Sequence, residues 1–157
     1  MSASTQITVL VFFWTDAEKR YYNSFMPFEE LPHTADWALR VLAPSLEELF
    51  SEAARGMNAL SGAQPAAGAH LRRVFAAKAP DPESLLVLFL SELVYSAEQE
   101  HLVFDAFEIE LKGSELNVNM AGAPLLSLNK SIKAVTFHNL QIHKTEPGFE
   151  VEIVFDV

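Results

Sequence analysis

The side chains able to do chemistry are few and far apart in the chain. Pro32-His33-Thr34-Ala35-Asp36 stands between two strand-like segments, where a loop can present an imidazole, a hydroxyl and a carboxylate to a ligand. Bulky Trp37 directly follows Asp36 and would anchor it. Turn chemistry gives the same residues a plainer job, because Thr and Asp side chains readily hydrogen-bond nearby backbone. At the other end, Asp156 and the terminal carboxylate of Val157 put two anionic groups on consecutive residues, a hard-oxygen pair suited to Ca²⁺ or Mg²⁺. Terminal carboxylates are commonly frayed and solvated, but the apolar alternation Phe149, Val151, Ile153, Phe155 argues for order up to this point. Lys133 is the third candidate. Alternation through Ile132-Lys133-Ala134-Val135-Thr136-Phe137-His138 groups Lys133 with Val135 and Phe137, an odd place for a cation unless carboxylates meet it. The plainer reading is a lysine snorkelling at a sheet edge.

Composition narrows what these residues can do. Zero cysteines in 157 residues exclude a disulfide scaffold, a thiolate metal site and a cysteine nucleophile. With 11 Lys plus Arg against 21 Asp plus Glu, the formal charge of −10 repels phosphate and disfavours tight binding of bare nucleic acid. A basic protein partner or a hard cation suits it better. No run of about 18 apolar residues suggests a membrane span, and Ile7 to Trp14 has no positive charge before it, so the expectation is a soluble, cytoplasmic chain. His70, His101 and His143 lack partner spacing and read as surface residues. Nothing matches a phosphate-binding glycine loop, a local Ser/His/Asp motif or a basic aromatic RNA platform. A metal-dependent hydrolase built on His33, Asp36 and Asp156 would be the enzymatic reading, but it has no nucleophile and no second histidine.

These groups must be positioned by one domain, since the length fits one hydrophobic core. Residues 1–25 read as an N-terminal extension, with an uncharged β-prone run from Ile7 to Trp14 that is an aggregation hazard if left alone. The working domain is expected over 26–157. Phe28 to Leu31 and Trp37 to Ala43 are strand-like. Ser45 with Glu48 forms a capping box for a helix whose Leu46, Leu49, Phe50, Ala53, Ala54, Met57 and Leu60 share a face, stopped at Gly62. His70 to Lys78 carries a weak strand pattern. Asp81-Pro82 opens a second helix, apolar almost all round from Leu85 to Ala97 and so expected at the centre of the core. Phe107-Ile109-Leu111 and Leu116-Val118-Met120 alternate with polar residues across Lys112-Gly113-Ser114, a hairpin with one wet face. A turn around Gly122 and Pro124, a strand from Ile132 through His143 and a hairpin across Thr145-Glu146-Pro147-Gly148 complete the chain. The class is α+β, two helices on one face of a largely antiparallel or mixed sheet.

The motifs in this order resemble the archease family: Glu30-Leu-Pro-His33-Thr34-Ala35-Asp36, the helix from Ser45 to Ala54 with Gly56-Met57, the stretch Leu85 to Tyr95, Ile132 to His138, and the ending Val154-Phe155-Asp156-Val157. The resemblance covers 26–157 and leaves 1–25 unmatched. It implies an archease-like two-layer fold and a protein that activates a GTP-dependent RtcB-type RNA ligase in tRNA splicing and RNA repair, promoting guanylylation of the ligase and multiple turnover without being an enzyme itself. It also implies a divalent metal, Ca²⁺ first with Mg²⁺ or Mn²⁺ as alternatives, held by Asp36, Asp156 and Val157. Lys133 would be needed for function, and His33 and Thr34 would serve partner activation. An alternative family role is that of a chaperone for a tRNA cytosine-5 methyltransferase. Phe137 and Phe149 stand where the family often has Tyr and Trp, and the loop before Lys133 is short, with neither an acid nor a histidine.

Joined to the strand reading, the resemblance places the strand ending at Val157 beside the strand entering Asp36. Three carboxylates would then meet at one sheet edge, repelling by several kcal/mol at about 5 Å and an effective dielectric of about 20. A divalent cation or Lys133 is expected to neutralise them.

Overall fold

Two capping residues decide where the helices begin. The computed structural model describes residues 27–32, 36–68 and 70–157; the expected extension 1–25, Met26, His33 and Thr34 lie outside the described residues. Ser45, in extended backbone, accepts the N–H of Glu48 on its Oγ at 3.2 Å and starts α1, Leu46–Ser61. Gly62 ends α1 in the left-handed region at φ 69°, and a Cβ there would overlap the Asn129 side chain, so the stop is both conformational and steric. Asp81 accepts the N–H of Ser84 at 2.7 Å and, with Pro82 in the first turn, starts α2, Pro82–Glu100. Hydrogen bonds from Ser84 hold the Asp81 carboxyl below its ordinary range. His101, exposed as expected, ends α2 in the left-handed region at φ 55° and so also caps the helix.

The strands form two antiparallel sheets rather than one. In the first, β1 (Phe28–Leu31) pairs β2 (Trp37–Ala43), and β2 pairs β9 (Gly148–Asp156). The far edge of β9 carries two short strands, β7 (Ala134–Val135) at one end and β8 (His143–Thr145) at the other. In the second sheet β6 (Glu115–Ser127) runs between β4 (Leu71–Lys78) and β5 (Leu102–Lys112), and β3 (Gln64–Pro65) meets the end of β6. The two expected hairpins are present, closing at Lys112 opposite Glu115 and at Thr145 opposite Gly148.

Helix α1 packs chiefly on β2 and β5 and also meets β1 and β9, while α2 packs on β4, β5, β6 and β7. The helices thereby join both sheets into one core. Phe89 of α2 lies near its middle, stacked on Phe50 at 6.4 Å, tilted to Phe75 at 6.3 Å and edge-on to Phe107 at 5.6 Å. Such aromatic pairs add about 0.5–1.5 kcal/mol each beyond area burial.

Two expectations are corrected. Gly122 and Pro124 do not turn the chain; β6 runs through them to Ser127. Gly122 instead faces a bulge between Phe104 and Ala106, where a Cβ would overlap the Val103 carbonyl oxygen. Ile132 through His143 is not one strand. Only Ala134–Val135 and His143–Thr145 pair with β9, and between them Leu140 donates its N–H to the Phe137 carbonyl at 3.1 Å, closing a turn.

Candidate functional site

The β2–β9 ladder sets the start of β2, just after Asp36, beside the end of β9, which carries Asp156. Trp37 pairs Phe155 as the last rung, so Asp36 follows one step beyond it, in line with Asp156. On the other side of β9, Val135 pairs Phe155 and Ala134 pairs Asp156. Pleat alternation then assigns the faces. Phe155 and Val135 are buried toward the helices and Trp37 packs half-buried against the same core. By the same alternation Asp36, half-buried, and Asp156, exposed, fall on the face opposite Phe155.

Main-chain bonds make this end of the sheet firm. Lys133 donates its N–H to the Asp156 carbonyl at 2.8 Å, and Thr136 donates both its N–H and its hydroxyl to the Val154 carbonyl at 3.0 and 2.9 Å. Val157 is half-buried against the core. Before Lys133, Asn129 and Lys130 donate their N–H groups to Ser61 at the end of α1, at 3.0 and 3.2 Å. The Lys130 ammonium stands 4.7 Å from the Trp37 ring centroid, a cation–π contact over the residue that anchors Asp36. Sequence reasoning passed over Lys130. Its only signal was its place three residues before Lys133.

Of the two neutralising groups expected, a divalent cation or Lys133, the lysine is not seen to meet the acids. Lys133 is exposed, alternation turns its side chain to the face opposite Asp156, and it forms no ion pair among the described residues. Asp36 and Asp156 likewise have no cationic partner among those residues. Nor is any group of three or more His, Asp or Glu close enough there to hold a metal ion by side chains alone. Two carboxylates and a nearby main-chain oxygen of Val157 fit a hard cation held openly, because Ca²⁺ takes six to eight oxygens and the rest must come from water or a second molecule. A closed structural site would need more donors.

Residues 28–157 match the model of the Archease protein family (MTH1598/TM1083), beginning at the first residue of β1. The chain belongs to the archease family. It is 34% identical over 140 residues to the protein archease of Methanosarcina barkeri, covering 83% of this chain and 95% of that one. To the protein archease of Methanopyrus kandleri it is 31% identical, covering 84% of this chain and all of the relative. Its fold is that of Methanobacterium thermoautotrophicum protein 1598, at a TM-score of 0.64 and 23% identity, over 84% of this chain and 99% of that one. It is similar as well to the crystal structure of an archease, described as a possible chaperone, from Thermotoga maritima: TM-score 0.61, 21% identity, 82% and 96% covered. The archease match spans both sheets and both helices, including the Asp36 and Asp156 positions. No described helix is long and apolar enough to cross a membrane.

Proposed function

We propose that this archease activates a GTP-dependent RtcB-type RNA ligase in the cytoplasm, promoting covalent loading of the ligase with GMP in tRNA splicing and RNA repair, with no turnover of its own. The observation that carries the reading is the pair Asp36 and Asp156, on one face at the end of a hydrogen-bonded ladder, with no cation from the described residues to neutralise them. Asp36, Asp156 and a main-chain oxygen of Val157 would hold a divalent ion, Ca²⁺ first and Mg²⁺ or Mn²⁺ as alternatives. Bound there, the ion would supply positive charge and open positions for oxygen ligands such as phosphates.

The chain's own residues present that site. The Lys133 N–H fixes the Asp156 main chain, Trp37 buries beside Phe155 and so orients Asp36, and the exposed Lys133 side chain extends beyond the ladder toward a partner. His33 and Thr34, just before Asp36 in the sequence, would take part in the same docking event. The second reading is a chaperone for a tRNA cytosine-5 methyltransferase, favoured by the description of the Thermotoga neighbour as a possible chaperone. Incubating the full chain with its cognate ligase, GTP and metal, and following GMP bound to the ligase, tests the first reading. Acceleration over ligase alone is expected, and its loss in Asp36→Asn with unchanged thermal stability; no acceleration would sink the ligase reading.

A further inference from the structure

Cations in this chain are not distributed like its acids. From Leu116 to Thr145 there is no Asp or Glu, although the whole chain carries 21 of them. That stretch holds Lys130, Lys133 and Lys144 with His138 and His143. Elsewhere among the described residues most cations are neutralised locally, exposed Arg72 excepted: Arg40, Arg55, Arg73, Lys78 and Lys112 each meet a carboxylate at 2.8–3.1 Å. Lys130, Lys133 and Lys144 are exposed and meet none among the described residues.

Topology puts Lys133 and Lys144 along one border, with Lys130 beside its Lys133 end, over Trp37. The strands β7 and β8 lie on the same edge of β9, so Lys133 stands in line with Val157 and Lys144 opposite Phe149. At about 3.3 Å per residue the two are roughly 26 Å apart along that edge. Between them Phe137 is 60% exposed on a turn held firmly at its base, since Thr136 is bonded twice to Val154 and His138 donates its N–H to the Thr136 hydroxyl at 3.3 Å. A large aromatic ring kept in water on a rigid turn gains nothing for folding.

We infer that the border from Lys130 to Lys144 is a contact surface for a single strand of nucleic acid, with lysines on the phosphates and a base stacked on Phe137. Unpaired lysines alone would suit any anion. The exposed aromatic ring among them favours a nucleic-acid strand over an acidic polypeptide, because every base offers a π-face and stacking is tolerant of sequence. Sequence reading missed the surface because the lysines never form a run and the net charge of −10 conceals them. That same net charge keeps the contact weak. About three phosphate contacts on a single strand give a log–log salt slope of about −2, from roughly 0.7 per contact.

This inference does not rest on the ligase reading, since it concerns the isolated protein. The test is a titration of the ¹⁵N-labelled full chain with a uridine decamer, followed by amide shifts at about 20 mM and 200 mM salt. Shifts confined to 130–144 and the Trp37 indole are expected, weakening about 100-fold between those salt concentrations. Phe137→Leu is expected to weaken binding about tenfold with an unchanged melting temperature, and Lys130→Gln with Lys144→Gln to flatten the salt slope. No shifts at low salt, or shifts mapping elsewhere, would overturn it. So would a glutamate decapeptide that binds the same residues as tightly, which would assign the surface to an acidic protein.

Discussion

Two charged regions of this archease are handled in opposite ways. On the second sheet, Arg73 of β4 grips both carboxylate oxygens of Glu100 at 2.8 and 2.9 Å and reaches the Ser96 hydroxyl at 3.1 Å. Its guanidinium lies 5.2 Å from the Phe104 ring centroid, with Glu92 at 3.5 Å. The Arg73 hydrogen bond holds the Glu100 carboxyl below the ordinary glutamate range, and the Glu100 bond raises Arg73 in turn. At the end of the first sheet, Asp36 and Asp156 share a face with no such answer among the described residues. The fold pairs charge where α2 is tied to β4, and leaves the two carboxylates at the end of the first sheet without a cationic partner among the described residues.

The contrast can be broken in several ways. Phe89→Ala, in the core shared by both regions, is expected to lower stability by about 3–5 kcal/mol, read by urea denaturation, and to leave ion binding intact in whatever fraction remains folded. Equal stability would mean that the two sheets do not share a core. Arg73→Met should destabilise by about 1–2 kcal/mol, a modest figure because the ion pairs are partly exposed and much of the loss is packing on Phe104. Its Ca²⁺ affinity should match wild type; a fall would show that the two regions are coupled.

A smaller effect is pH-dependent. Glu100 has a folded pKa below the ordinary value of 4.5, so its contribution to stability is complete above that value and is lost as pH falls through the folded one. Melting temperatures from pH 6 to 3 should therefore fall less steeply in Arg73→Met than in wild type; parallel curves would remove the Arg73–Glu100 pair from the account. The smallest expected change is Asp36→Asn measured in chelator, where the melting temperature should stay within a degree or two or rise slightly, since two like charges no longer repel. A large drop would make Asp36 a structural residue.

Local chemistry was legible in the sequence and long-range geometry was not. Ser45, Gly62 and Asp81-Pro82 marked helix ends because capping depends on residues within one turn. Both hairpins could be read from alternation and turn residues for the same reason. Gly122, two residues before Pro124, reads locally as a turn; its reason is the Val103 carbonyl opposite, on a strand about 20 residues earlier. The strand from Ile132 broke off because β9 pairs its two ends while Thr136 turns the middle outward, and no pattern within that segment encodes this. Of the site, the pairing of the strand that follows Asp36 with the strand that carries Asp156 was legible from the alternation of both. The failure of Lys133 to pair with either acid follows from pleat alternation at a register that the sequence alone does not specify.

The most direct test is a calorimetric titration of Ca²⁺ into the full chain and into Asp36→Asn and Asp156→Asn. One ion per chain is expected for wild type, with affinity at least about tenfold weaker in each variant, because each loses a charged oxygen ligand. Wild-type protein that takes up no divalent ion, or variants that bind it as tightly as wild type, would contradict the claim that these two carboxylates are left unpaired for a cation.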